Sequence, residues 1–320
     1  MADLICIGEM VIDFLPGKEP GSYIRNAGGA PANVAISAAR NGISSGMYTK
    51  VGDDDFGVFL QDTLRREGVE ILNPKREEKA LTTLAFVSLN ESGERSFTFG
   101  RKPGADMFLS KEEITDEELK KASVIHAGSF SLSAECSKEA AVDALSRAHG
   151  MGKLVSFDIN YRNVAWNDDK DACAGEVKKL LHLVDFLKVS DEEVDMLGGE
   201  DQIPAVMEEY GIAVVMLTLG GDGCRCYYRG GCFEDPGYAV EAGKVVDTTG
   251  AGDAFWGGFL SRLLMLGVSK TEDLTEAILK DASDYGNLSG SICVQAKGAI
   301  ASLPDRKTIG DFREKQGKSF

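Results

Sequence analysis

Short apolar runs recur along this chain, separated by amphipathic stretches. Leu4–Gly8, Val124–Ala127, Leu154–Asp158, Phe186–Val189 and Val214–Thr218 are nearly continuous apolar runs, the pattern of strands covered on both faces. Pro31–Asn41, Phe56–Glu67, Cys136–His149 and Asp171–Leu183 instead carry apolar residues at helical spacing. Alternation of the two predicts βαβ units and a mostly parallel sheet, an α/β fold. Two stretches break the rhythm: Met10–Ala27 and Leu81–Phe99 are period-2, and Asn90–Gly93 reads as a hairpin turn. They predict a small antiparallel sheet inserted off the edge of the main domain, usable as a lid or a dimer surface. The acid-rich segment Lys111–Lys121 reads as a solvated helix and loop, and the tail Asp305–Phe320 as polar and frayed at its end.

A length of 320 residues fits one large α/β domain or two modest ones. Its net charge of -16 argues against a nucleic-acid partner, which demands a basic face. A small anionic ligand needs only a local electropositive nest and stays compatible with that charge. No run approaches the roughly 20 apolar residues of a membrane span, and the first residues lack the basic region and long apolar run of a signal peptide. A cytoplasmic protein without membrane partners is expected. Cysteines at 6, 136, 173, 224, 226, 232 and 293 form no C-x-x-C pair, which fits reduced thiols. Histidines 126, 149 and 182 stand away from them, so a structural zinc site is not expected.

Several familiar motifs fail. No G-x-x-x-x-G-K-[ST] occurs, and Phe255 stands where a dinucleotide fingerprint on Gly250 and Gly252 needs its third glycine. Gly42–Gly46 matches G-x-S-x-G but follows a helical segment, so it reads as a turn. Three glycine-rich stretches remain. In VVDTTGAGDAFWGG, Val245–Val246 reads as a strand end and Ala254–Leu266 as a helix, with Gly250, Ala251 and Gly252 at its start. There, free backbone N–H groups and the helix dipole can hold an anion, with Asp253 beside it as a proton acceptor. Alternatively the stretch is a flexible turn with a helix-stabilising acid. Asn26–Gly42 places Gly28 and Gly29 before a helix with Pro31 in its first turn and Asn33 on an apolar segment. In Leu217–Tyr228 a buried strand enters Gly220–Gly223, which alone reads as a hairpin turn.

Together these stretches resemble the ribokinase-like (PfkB) family of carbohydrate kinases. Gly28-Gly29-Ala-Pro-Ala-Asn33 is similar to the family's N-terminal motif, and Asp247-Thr-Thr-Gly-Ala-Gly-Asp253 to its C-terminal one. The resemblance implies a three-layer α/β/α sandwich around a mainly parallel sheet, as one domain over residues 1–320. A β lid would come from about 10–27 and 81–103. It also implies transfer of the ATP γ-phosphate to a sugar hydroxyl, with Mg2+ and K+ as cofactors. By position, Asp253 resembles the catalytic base, and Gly250, Ala251 and Gly252 the anion hole. Asp13, Gly28, Gly29 and Asn33 resemble sugar contacts, with Arg101 and Arg162 as further candidates from the lid and from DINYR. Thr218, Gly220 and Gly223 resemble the nucleotide loop, and Asn287 falls in the adenine region. Asp247, Thr249, Cys293, Ala296, Gly298 and Ser302 resemble the monovalent-cation loop.

One motif departs from the family. Its N-x-x-E, linked to magnesium and phosphate, is Ser190-Asp-Glu-Glu193 here, keeping the acid and replacing asparagine by serine. RKPGADMFL, HAGSFSLS, DINYR and KVSDEE resemble fructokinases more than ribokinases. Fructose is therefore the expected substrate, with 2-keto-3-deoxygluconate kinase and ribokinase activities as alternatives. A non-catalytic sugar- or nucleotide-binding regulator is the alternative of another class, and a homodimer through the lid is a further expectation.

Overall fold

The apolar runs become interior strands because helices cover both of their faces. The structure, a computed structural model, describes residues 2–19, 21–89, 95–241 and 243–315. The strands are β1 (Leu4–Ile7), β2 (Val11–Pro16), β3 (Tyr23–Gly28), β4 (Ser45–Tyr48), β5 (Glu70–Ile71), β6 (Leu84–Leu89) and β7 (Arg95–Gly100). They continue with β8 (Val124–Gly128), β9 (Leu154–Asp158), β10 (Phe186–Ser190), β11 (Val214–Thr218), β12 (Gly223–Tyr228) and β13 (Gly231–Pro236). The α-helices are α1 (Ala30–Arg40), α2 (Asp55–Arg66), α3 (Asp116–Lys121), α4 (Glu135–Gly150) and α5 (Lys170–Leu180). After them come α6 (Ile203–Tyr210), α7 (Ala251–Met265), α8 (Glu276–Cys293), α9 (Ala299–Ser302) and α10 (Arg306–Lys315).

The large sheet runs β13-β12-β11-β10-β9-β8-β1-β4-β5. It is parallel from β11 to β5 and ends in an antiparallel β11–β12–β13 edge. Alternate residues of each strand serve opposite layers. Ile5, Ile125, Val155, Leu187 and Val215 pack with α4 and α5 residues such as Ala144 and Val177. Leu4, Val124, Leu154, Phe186 and Val214 pack with α1 and α7 residues such as Ala35 and Phe259. The result is the expected three-layer sandwich.

The small sheet has the order β3-β2-β6-β7. The sequence reading of an antiparallel sheet needs correction, because β2 and β6 pair parallel between two antiparallel hairpins. Both strands lead outward from the main body and both partners return, so the two outward strands run the same way. The sheet is also entered from the end of β1, an interior strand, rather than from an edge. The hairpin turn expected at 90–93 lies outside the described residues.

One further reading changes. Val245–Val246 is not a strand end. It is irregular backbone, 51% and 46% exposed, and the N–H groups of Val246 and Asp247 donate to Val294 O at the end of α8. The segment thus satisfies its backbone on a helix terminus, although its β-branched residues suit a sheet. The tail is helical through Lys315 and docked, with buried Arg313 paired to Asp281 and Asp284. The expected fraying concerns residues 316–320, which lie outside the described residues.

Helix α7 carries adjacent glycines where it crosses two neighbours. A β-carbon on Gly257 would lie 2.5 Å from Ser37 Cβ on α1, and one on Gly258 would collide with Ser289 on α8. Each glycine costs roughly 1 kcal/mol of helix propensity, while overpacking a tight contact costs about 1–3 kcal/mol. Gly257→Ala is therefore expected to lower the urea midpoint and destabilise the fold by up to about 2 kcal/mol. A raised midpoint would show that α1 yields to the added methyl.

Candidate active site

The strand order reverses between β1 and β8, and such a switch opens a crevice beyond the carboxyl ends of the strands. A cavity of about 640 Å³ lies there, bordered by Glu9 after β1, Asp13 on β2, Asn33 on α1, Asp158 at the end of β9, and Asp253 on α7. A second cavity of about 640 Å³ lies between Thr218, Gly220 and Gly223 on one side and Phe255 and Asn287 on the other. Both fall in the usual range for small-ligand sites. A smaller one of about 400 Å³ joins them, sharing Lys188 and Arg162 with the first and Ser190 and Thr218 with the second. Gly252 borders all three.

The turn into α7 requires glycine. Gly250 has φ +80, and a β-carbon on it would lie 2.7 Å from Ala299 Cβ. The first intrahelical bond runs from Ala254 N–H to Gly250 O, so the amides of Gly252 and Asp253 precede the helical ladder. Asp253 is buried, and its Oδ2 accepts a hydrogen bond from Asn33 Nδ2 at 2.7 Å. Asn33 Oδ1 is buried without a protein partner. Asn33, expected as a sugar contact, therefore also orients Asp253.

Acids dominate the rest of the first cavity. A β-carbon on Gly28 would collide with the Asp13 carboxylate, so glycine there makes room for it. Burial, aided by the charges of Asp253 and Asp247 and opposed by Arg162, pushes Asp13 up to about 7. Gly29, at φ +115, packs against the Glu9 backbone and lets the chain enter α1. Glu9 Oε1 accepts from Ala30 N–H at 3.1 Å, while Oε2 is buried without a protein partner. Burial pushes Glu9 up to about 8. Burial, followed by the charge of Lys188, also drives His126 down to about 3, so the ring is neutral; its Nδ1 lies 3.0 Å from Ser156 Oγ.

The arginine candidates separate. Arg101 lies outside this lining, held by an ion pair to Asp106, a 3.0 Å hydrogen bond to Ser133, and the Phe130 ring beneath it. Arg162 is exposed at the border of the first and joining cavities. In the second cavity, Asn287 donates to Asp235 O at 3.1 Å and so ties β13 to α8.

The expected ion-binding residues also converge. Glu193 accepts from the N–H groups of Tyr161 at 2.7 Å and Ser190 at 3.0 Å, its two oxygens fixing two loops beside the joining cavity. No cluster of three acidic, histidine or cysteine ligands occurs among the described residues. That sparse donor set fits magnesium, which keeps several waters and phosphate oxygens as ligands. Asp247 accepts from Thr249 N–H at 2.9 Å and Gly298 N–H at 3.0 Å. Cys293 Sγ lies 3.0 Å from Ser302 Oγ, which donates to Gly298 O at 2.7 Å, and Ala296 follows on the same loop with its N–H toward Cys293 O. Oxygen-rich and carrying one carboxylate, this loop fits a monovalent cation.

A family model described as pfkB family carbohydrate kinase matches residues 1–306. The chain belongs to the pfkB family of carbohydrate kinases. The kinase is 39% identical over 310 residues to a fructokinase of Escherichia coli, covering 95% of this chain and 96% of that one. Its structure matches a fructokinase from Xylella fastidiosa with bound ATP at a TM-score of 0.91 and 30% identity, covering 99% and 100% of the two chains. A fructokinase from Vibrio cholerae O395 with fructose, ADP and calcium matches at 0.87 and 32% identity, covering 98% and 99%. A double mutant of that protein holds fructose, ADP and potassium. No helix among the described residues of the kinase is long and apolar enough to cross a membrane.

Sequence reasoning left Glu9, Asp158 and Lys188 without roles. The signal was present, since charged residues inside or just after buried apolar runs demand a reason. Glu9 also sets a pH dependence. Its folded pKa of about 8 exceeds the ordinary 4.5, so its contribution favours the fold below pH 4.5 and is lost as pH rises through 8. Glu9→Gln, which mimics the protonated acid, is expected to melt higher than the parent at pH 8.5, by up to a few kcal/mol at about 1.4 per pH unit. The difference should vanish near pH 4.5 in thermal melts. Equal melting at both pH values would remove the assigned cause.

Proposed function

We propose that the kinase transfers the γ-phosphate of ATP to the primary hydroxyl of fructose, forming fructose 6-phosphate and ADP. The observation that carries this reading is the position of Asp253 in the sugar-sized cavity, directly after Gly252, which borders the joining cavity as well. A sugar hydroxyl in the first cavity donates to Asp253, and the nucleotide reaches the joining cavity from Thr218, Gly220 and Gly223. The hydroxyl oxygen forms a bond to Pγ while the bond from Pγ to the bridging oxygen breaks, its electron pair leaving with ADP. The proton passes to Asp253, and the phosphoryl oxygens face the amides of Gly250 and Gly252, the Ala251 N–H donating to Thr248 O at 3.2 Å. Lid closure by the small sheet excludes water, the competing acceptor.

Magnesium, near Ser190 and Glu193, would neutralise phosphate charge when bound. Potassium would occupy the loop of Asp247, Thr249, Cys293, Ala296, Gly298 and Ser302. A neutral sugar fits better than a sugar acid, because Asp13, Asn33 and Asp253 border the cavity as hydrogen-bond partners for hydroxyls and Arg101 is engaged elsewhere. Fructokinases among the relatives support the same choice.

Two measurements test this reading. kcat/KM across fructose, ribose, tagatose, adenosine and 2-keto-3-deoxygluconate is expected to be highest for fructose; a clear preference for another sugar overturns the substrate. Asp253→Asn is expected to lose about 10²–10⁴-fold in kcat, the scale of general base catalysis, while still binding fructose and ADP by calorimetry. Near-normal turnover would remove Asp253 from the role of base. The small sheet also offers an edge for self-association, with Tyr23 and Ile24 on β3 46% and 54% exposed. Ile24→Lys is expected to shift a homodimer to monomer by light scattering, and a parent that is already monomeric would refute the dimer.

A further inference from the structure

Lys188 stands in an unusual place for a lysine. It lies on interior strand β10, directly opposite Asp158 on β9, and is only 5% exposed. Nζ reaches both Asp158 oxygens, at 2.9 and 3.1 Å, and among the described residues its hydrogen bonds go to Asp158 alone. An ammonium has three donors, so at least one proton remains for a ligand. Burial opposes its charge, but Asp158 and Glu193 outweigh that effect and hold Lys188 above the usual lysine range. It is a permanent cation.

Stability gives little reason for such a pair. A buried ion pair can often be replaced by apolar residues without loss of stability, and the β10 residues around Lys188 are apolar up to Ser190 at its end. Location supplies a better reason. Lys188 borders both the sugar cavity and the joining cavity, and a β-carbon on Gly252 would lie 3.3 Å from its Nζ. The ammonium therefore sits against the glycine turn, at the passage any transferred phosphoryl group must cross. The other cations on these borders, Arg162 and Lys170, are respectively exposed and tied to Asp195.

We infer that Lys188 is a catalytic residue that donates a hydrogen bond to an oxygen of the transferring phosphoryl group, with Asp158 fixing its position. Its charge complements the amides of the glycine turn and is buried before substrate arrives, so no reorganisation is needed as negative charge develops. Lys188 moves no proton and forms no bond; the transfer balances as described above. This inference rests on the sugar-kinase reading.

The test compares the parent with Lys188→Met/Asp158→Asn, which removes both charges and leaves no lone buried carboxylate. Turnover of fructose by the parent establishes the kinase reading first, so loss of that activity in the parent indicts the reading rather than Lys188. In the folded double variant, kcat is expected to fall about 10²–10³-fold, the scale of one lost oxyanion donor. Fructose KM and ADP affinity should stay within about threefold, while affinity for ADP with aluminium fluoride and fructose falls in parallel with kcat. A kcat within threefold of the parent overturns the inference, as does a loss that falls wholly in KM. If the double variant does not fold, Lys188→Arg decides. Its fork keeps the ion pair but cannot keep a point charge against Gly252, so a tenfold or greater fall in kcat supports the role and full activity overturns it.

Discussion

The close crossing of α1 and α7 is the constraint on which the rest of the site depends. Ser37 and Gly257 meet where no larger pair fits. One helical turn toward each N-terminus stand Asn33 and Asp253, on the same helix faces. Two small residues at the crossing thus bring an amide and a carboxylate to 2.7 Å one turn away. The same approach seats the glycine turn over the ends of the parallel strands, so a packing decision inside the sandwich sets the spacing of the groups at its rim. Gly258 repeats the device on the other side, drawing α8 and the nucleotide wall against α7.

A second level of organisation runs through the sheet. Polar residues on adjacent strands stand in register: His126 opposite Ser156, and Lys188 opposite Asp158. Trp256 on α7 donates its indole N–H to Ser156 Oγ at 2.9 Å, so the helix is keyed to the sheet by a hydrogen bond as well as by apolar contact. The pairings satisfy groups that would be costly to bury singly. They also hold the strand ends rigid beneath the cavities, as a site that acts by preorganised charge requires.

The continuous runs from Leu4 to Thr218 were legible because an interior parallel strand has only one kind of surroundings. The glycine turn, the first turn of α1 and the Gly220–Gly223 hairpin turn between β11 and β12 were legible because their backbone demands leave few residue choices. Helix α8 was not. Its buried face includes Ser283, Asp284, Gly286, Asn287 and Ser289, small and polar residues that pack by close approach and interrupt the apolar series Leu279, Ala282, Tyr285 and Leu288. Strand β4 was obscured by Ser45 and Gly46 in what reads as a turn. Val245–Val246 misled for the opposite reason, since β propensity describes a fit to a sheet that is absent there. The engagement of Arg101 with Asp106 was equally invisible: a charge in a lid sequence carries no information about which partner folding will give it.

The acids around the sugar cavity have a consequence for the end of the catalytic cycle. Fructose would enter uncharged and meet Glu9, Asp13 and Asp253 as hydrogen-bond partners. The same molecule would leave as a phosphate ester carrying close to two negative charges, in a cavity where burial holds Glu9 up at about 8 and Asp13 at about 7. A new negative charge raises such carboxyls further, so forming the ester would draw protons onto the walls, and releasing it would free them.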